Sequence, residues 1–156
     1  MPRFGRLRPP WLRAPHTGIS NDRRRKIENQ CNSNGRSRDG HTALTDGTLE
    51  FDLVIPGELG GPGGDGANPE KLFALGYSKC FLGALRVGAQ QLKTKVPEGS
   101  MVSATIGMGP RTEGGFAITA ALDDYLPGNT EAEAQHLVEA THCICPYSNS
   151  IRRRLT

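Results

Sequence analysis

Residues 68–92 read NPEKLFALGYSKCFLGALRVGAQQL, and the organisation of the whole chain follows from this stretch. Asn68 is a strong N-cap, because its side-chain oxygen can accept from a free amide of the first turn. Pro69 suits the first helical position, where no amide is needed, and Glu70 meets the positive end of the helix dipole. Phe73, Tyr77, Cys80 and Ala84 recur at three- and four-residue steps, as do Leu72 and the pair Phe81 and Leu85. An apolar stripe that wide predicts a buried helix rather than a surface one. Cys80 sits near its middle. As a small apolar side chain it can be core filler, and as a thiol it can be a redox group. Helical spacing does not separate these readings.

Upstream, GELGGPGGDGA over residues 57–67 is glycine-rich but is not a phosphate loop, since no Lys-Ser/Thr follows the glycines. It is expected to let backbone approach closely ahead of the helix. Before it, Leu49, Phe51, Leu53 and Ile55 alternate with Glu50, Asp52 and Val54, a half-buried strand ending at Pro56. Asp46-Gly47 predicts a hairpin turn leading from a short strand over residues 42–45, and Arg38-Asp39-Gly40 predicts another turn. Downstream, residues 102–106 and 116–122 read as strands on either side of a turn at 110–115. Thr130-Glu131-Ala132-Glu133 is a capping box. Leu137, Val138, Thr141 and Ile144 form the apolar face of a second helix, which must stop by Pro146.

The 156 residues suit one domain, and 20 Gly and 11 Pro with 6% aromatics predict many turns around a modest core. The cysteines are Cys31, Cys80, Cys143 and Cys145, with no CxxC pair and so no zinc pattern. No run of apolar residues is long enough to span a membrane, and no signal-peptide core is visible. A reducing, cytoplasmic setting is therefore expected, with thiols in a chemical role. Charge is uneven: residues 1–30 carry +6 of a total of +3, which leaves −3 for residues 31–156. Residues 1–34 lack apolar periodicity and hold Pro9, Pro10 and Pro15, so they are read as a disordered basic tail ahead of a domain over 35–156. The same Arg-rich segment also fits an organelle transit peptide, with a mitochondrial location as the alternative, weak nucleic-acid contact, or a misplaced start.

Three motifs taken in order, Arg38-Asp39-Gly40, GELGGPGGDGANPEKLFALGYSKCFLGAL and HCICPYSNS, resemble the organic hydroperoxide resistance (Ohr) branch of the Ohr/OsmC superfamily over about residues 35–150. The resemblance implies an α+β fold, OsmC-like, with a central buried helix and a second helix wrapped by antiparallel β-sheet, in an intertwined homodimer. It implies a thiol peroxidase that reduces organic hydroperoxides to alcohols in the response to oxidative stress. Cys80 matches the peroxidatic cysteine, Cys145 the resolving one, Glu70 the glutamate of the Asn-Pro-Glu element and Arg38 the arginine of the site. Arg36 is the competing arginine. Cys143 stands where another residue is usual, and Cys31 falls in the tail. No metal, haem or flavin is implied; the implied partner is a dihydrolipoamide-type dithiol, such as a lipoylated protein, that reopens a Cys80–Cys145 disulfide.

The chemistry suits these residue types. Only a thiolate is nucleophilic, and a guanidinium beside Cys80 would lower its pKa and orient the peroxide. A two-pronged pair with Glu70 would aim Arg38. Leu72, Phe73, Tyr77 and Phe81 would favour an organic peroxide. Two departures from the family pattern concern the ends: residues 27–32 are polar where a first strand is usual, and Arg152-Arg153-Arg154-Leu155-Thr156 has no closing-strand pattern. Both terminal strands are therefore expected to be replaced or truncated. Protein disulfide exchange is a competing function, opposed by the lack of CxxC. Nucleic-acid binding through the basic ends is another, opposed by the negative balance of residues 31–156.

One expectation is geometric. In an unbroken helix the Cα atoms of Glu70 and Cys80 lie roughly 15 Å apart, with directions about 80° apart around the axis. Arg38 would be stretched to reach both. A single site joining all three therefore predicts a short helix from Pro69, a break near Gly76 to Ser78, and a long helix capped by Ser78 with Cys80 in its first turn.

Overall fold

The computed structural model describes residues 27, 29–35 and 37–151. In chain order the elements are β1 (Cys31–Ser33), β2 (Gly40–Leu44), β3 (Glu50–Leu53), a single 3-10 turn (Gly57–Leu59), α1 (Pro69–Gln91), β4 (Met101–Pro110), β5 (Phe116–Tyr125), α2 (Glu131–Ile144) and α3 (Pro146–Ile151). All lie in the unit Cys31–Thr156.

Asn68 opens α1 as its chemistry predicts: Oδ1 accepts from the Lys71 amide at 2.8 Å, and Pro69 follows. The predicted break is absent. α1 is one helix of 23 residues through Gly76, and Ser78 donates back to the Leu75 carbonyl within the helix rather than capping a new one. One interior glycine costs a helix only about 1 kcal/mol. The burial of Tyr77, Phe81, Ala84, Leu85 and Ala89 on α1 outweighs it.

Two antiparallel sheets form, of order β1-β2-β3 and β4-β5. The β4-β5 hairpin presents Val102, Ala104, Ile106 and Leu122 to the core around Phe81 and Leu85. Leu137, which is 1% exposed, and Thr141 bring α2 onto α1, with Val138 and Ile144 packed beside them. Thr130 and Glu133 make the predicted capping box. The fold is the expected mixture of a central helix, a second helix and antiparallel sheet, with α3 as an unanticipated third helix starting at Pro146. Pro146 ends α2 and opens α3, since proline lacks only an amide that a first helical position does not use.

β1 corrects the expectation at the N-terminal side. Cys31–Ser33 pairs with Leu44–Thr42 although its residues are polar and do not alternate. It is an exposed edge strand. Backbone pairing alone makes such a strand, so no apolar alternation marks it in the sequence. It falls inside the stretch read as tail. The Arg-rich N-terminus and residues 152–156 lie outside the described residues, and with them the tail, transit and closing-strand expectations. Among the described residues no helix is long and apolar enough to cross a membrane.

Candidate active site

α1 carries Cys80 on its inner side, half-buried, and Cys145 is the fully buried C-cap of α2. Their sulfurs lie 3.7 Å apart, and both are free thiols. Sixty-five residues of chain separate them, so only the packing of α2 and α3 on α1 makes the pair. Burial pushes the Cys80 thiol above its ordinary value, a hydrogen bond from the Tyr147 backbone amide opposes this, and the neighbouring Cys145 thiol raises it further. A lowered Cys80 pKa was the expectation. In this arrangement desolvation of the thiolate wins, because no cation faces the sulfur closely enough to offset it.

Arg38 lies in the loop from β1 to β2. That loop is pinched at its base, where Gly35 and Gly40 have φ of 116° and 97°. A Cβ on Gly40 would come within 2.3 Å of the Asn34 carbonyl oxygen, so the loop requires glycine there. The Arg38 guanidinium reaches α1 and pairs with Glu70. The pairing uses one nitrogen, Nη2, for both carboxylate oxygens rather than the two-pronged fork. Nη1 points at the Met108 sulfur, 3.9 Å away, and Nε is buried without a hydrogen-bond partner.

The structure thus brings the four predicted residues together as two pairs, Arg38 with Glu70 and Cys80 with Cys145. Among the described residues no hydrogen bond joins the Arg38 guanidinium to the Cys80 thiol. This is the cost of the unbroken α1, along which Glu70 and Cys80 are separated by about 15 Å of rise. The competing Arg36 lies outside the described residues. Cys31 is exposed on β1, and Cys143 is exposed on α2.

Three rings cluster where α3 meets α1. Phe73, Tyr77 and Tyr147 lie with centroids 5.4 to 5.9 Å apart, Tyr77 and Tyr147 stacked. Of the apolar set expected to hold a substrate, Phe73 and Tyr77 belong to this cluster. Phe81 is fully buried and serves the core. Tyr147 was not anticipated; the Pro-Tyr step after Cys145 was its only trace in the sequence. Gly76 explains itself here: a Cβ on it would meet the Tyr147 hydroxyl at 2.7 Å. A buried polar set lies alongside. Ser148 Oγ is 2.9 Å from the Tyr77 hydroxyl and 3.0 Å from His142 Nδ1, and the His142 ring lies 4.7 Å from that of Phe81. No sequence pattern flagged His142 or Ser148.

Residues 61–156 match the OsmC-like protein family. An organic hydroperoxide resistance protein of Xanthomonas axonopodis pv. citri is 45% identical over 115 residues, covering 74% of this chain and 80% of that protein. Among solved structures, an organic hydroperoxide resistance protein OsmC from Legionella pneumophila superposes with a TM-score of 0.76 at 39% identity, over 83% of this chain and 92% of that one. OhrB of Bacillus subtilis superposes with a TM-score of 0.71 at 34% identity, over 82% and 93%. These relatives are bacterial, which lends nothing to the mitochondrial alternative. The motif order, the two-helix and antiparallel-sheet architecture and these matches agree: the chain belongs to the OsmC-like family, in its organic hydroperoxide resistance branch.

Proposed function

We propose that this chain protects against organic hydroperoxides as a thiol-dependent peroxidase, with Cys80 as nucleophile and Cys145 as resolving thiol. The observation that carries the reading is the 3.7 Å approach of two free thiols at the junction of three helices. The Cys80 thiolate attacks one oxygen of the O–O bond, the alkoxide leaves and takes a proton to become the alcohol, and Cys80 becomes a sulfenic acid. The Cys145 thiol then displaces water from that sulfur, giving a disulfide. A dihydrolipoamide-type dithiol reopens it by exchange and is itself oxidised.

Arg38 is the group to bind the peroxide, since its buried Nε has a proton and no acceptor. Glu70 holds the guanidinium at the start of α1. With burial raising the Cys80 pKa, activation falls to the bound state, when the loop carrying Arg38 brings its charge toward the sulfur. Phe73, Tyr77 and Tyr147 give an apolar wall suited to an alkyl or lipid chain. A homodimer belongs to this reading: Phe116 and Ile118 on β5 and Leu75 on α1 are 70%, 44% and 65% exposed in the single chain, and a second copy would cover them.

Turnover of an alkyl hydroperoxide with dihydrolipoamide tests the function. Activity is expected in the wild type and none in Cys80→Ser. Arg38→Ala is expected to lose most of the rate, with poor rescue by Arg38→Lys, which lacks the Nε donor. A Cys80→Ser variant as active as wild type would overturn the reading.

A further inference from the structure

We propose that Tyr77, Ser148 and His142 form a clamp that holds Cys145 against Cys80, making them positioning residues for disulfide formation. The proposal rests on the peroxidase reading for its biological use, but the clamp itself stands on geometry. The three residues surround the thiol pair at one-turn spacings. Tyr77 precedes Cys80 by three residues on α1, and His142 and Ser148 lie three residues to either side of Cys145. Cys145 is the joint between α2 and α3, with an extended backbone at φ −63° and ψ 118°.

The backbone bonds at this joint leave its angle open. The Cys145 amide donates to Thr141 O within the end of α2, and the Asn149 amide donates to Cys145 O within α3. Neither ties one helix to the other across Cys145. The Ser148 hydroxyl does. It lies on α3, is fully buried, and touches His142 on α2 and Tyr77 on α1. A serine hydroxyl has one proton and two lone pairs, so it donates to one neighbour while accepting from the other. The chain is satisfied whether it runs from Tyr77 to His142 or the reverse, so the contact persists in either tautomer of the imidazole.

The distances make positioning matter. The sulfurs are 3.7 Å apart, and a disulfide closes to about 2.0 Å. A small rotation at the Cys145 joint would take its sulfur out of line. Two fates then compete for a Cys80 sulfenic acid. Cys145 can displace water from it to give the disulfide. A second hydroperoxide can instead convert it to the sulfinic acid, with the alcohol as the other product. A loosened clamp shifts the balance to the sulfinic acid.

The test uses Tyr77→Phe, Ser148→Ala and the double variant in the full chain, with Cys31→Ser and Cys143→Ser to leave one thiol pair. The first readout needs no peroxide: the equilibrium between dithiol and Cys80–Cys145 disulfide in a dithiothreitol redox buffer. Each single change is expected to weaken the disulfide by roughly three- to tenfold, the scale of one hydrogen bond. The double variant should be no worse than the worse single one, because both changes remove the same contact. The second readout is the ratio of sulfinic acid to disulfide by intact mass after alkyl hydroperoxide, which should rise in every variant whatever the rate of the first attack. Wild-type equilibrium constants in folded variants would overturn the clamp. A wild type that forms the disulfide in the redox buffer but consumes no hydroperoxide would overturn the peroxidase reading and leave the clamp to be decided by the equilibrium. Should Ser148→Ala fail to fold, Tyr77→Phe decides, since it removes one oxygen and keeps the ring.

Discussion

Gly76→Ala is expected to destabilise this protein, although alanine is the better helix former. The gain from propensity in an α1 interior position is about 1 kcal/mol. Against it stands contact: the new methyl would lie 2.7 Å from the Tyr147 hydroxyl oxygen, 3.3 Å from Cζ and 3.5 Å from Cε1. The ring cannot simply swing aside, because it is stacked on Tyr77 and packed against Phe73. Overpacking of this kind costs roughly 1 to 3 kcal/mol. The net expectation is a loss of about 1 kcal/mol, a few degrees in Tm. Tyr147→Phe removes the nearest atom and leaves contacts of 3.3 Å and beyond, so Gly76→Ala with Tyr147→Phe should recover most of the loss. Gly88→Ala is the parallel case at the α1–α2 contact, with Thr141 Oγ1 at 2.9 Å. Gly83→Ala meets nothing within 4 Å and should gain the propensity term. Urea denaturation of the four variants measures this directly. A Gly76→Ala protein as stable as wild type, with no coupling to Tyr147→Phe, would refute the reasoning, for it would mean that the ring is not held over Gly76.

Two further outcomes follow from charge and burial. Because burial raises the Cys80 pKa, its alkylation by iodoacetamide should be slow at neutral pH and keep climbing above the pH at which a free cysteine levels off; a plateau below pH 8 would contradict this. Asp124 on β5 has its pKa raised, by desolvation first and the adjacent Asp123 second, and its Oδ1 is buried without a partner. A raised folded-state pKa favours the protonated form, so its contribution to stability is present below the ordinary carboxylate range and is lost as pH rises through the shifted value. Asp124→Asn should therefore raise Tm slightly at pH 7 and leave it unchanged near pH 3; a lower Tm at pH 7 would point to a cation holding that carboxylate.

What the sequence determined by itself is whatever depends on near neighbours. Asn68 and Pro69 set the start of α1, and Thr130 with Glu133 set the start of α2, because a cap acts across three residues. Asp46-Gly47 marked its turn by backbone preference, and the apolar faces of α1 and α2 showed in their periodicity. The motifs around Cys80 and Cys145 also pointed to the family before any distance was known. Tertiary structure decided what depends on residues far apart in the chain. Gly76 reads as a helix breaker in isolation; against the ring of Tyr147 it is a close-packing site within an unbroken helix. β1 forms from polar residues because β2 offers it backbone partners. Arg38 and Cys80, which the motifs would join in one cluster, take separate partners because Glu70 and Cys80 stand at different heights on one straight helix. The 3.7 Å between Cys80 and Cys145 likewise belongs to the packing of α2 and α3 on α1: spacing along a chain carries no information about an angle between helices, and that angle sets the distance between the sulfurs.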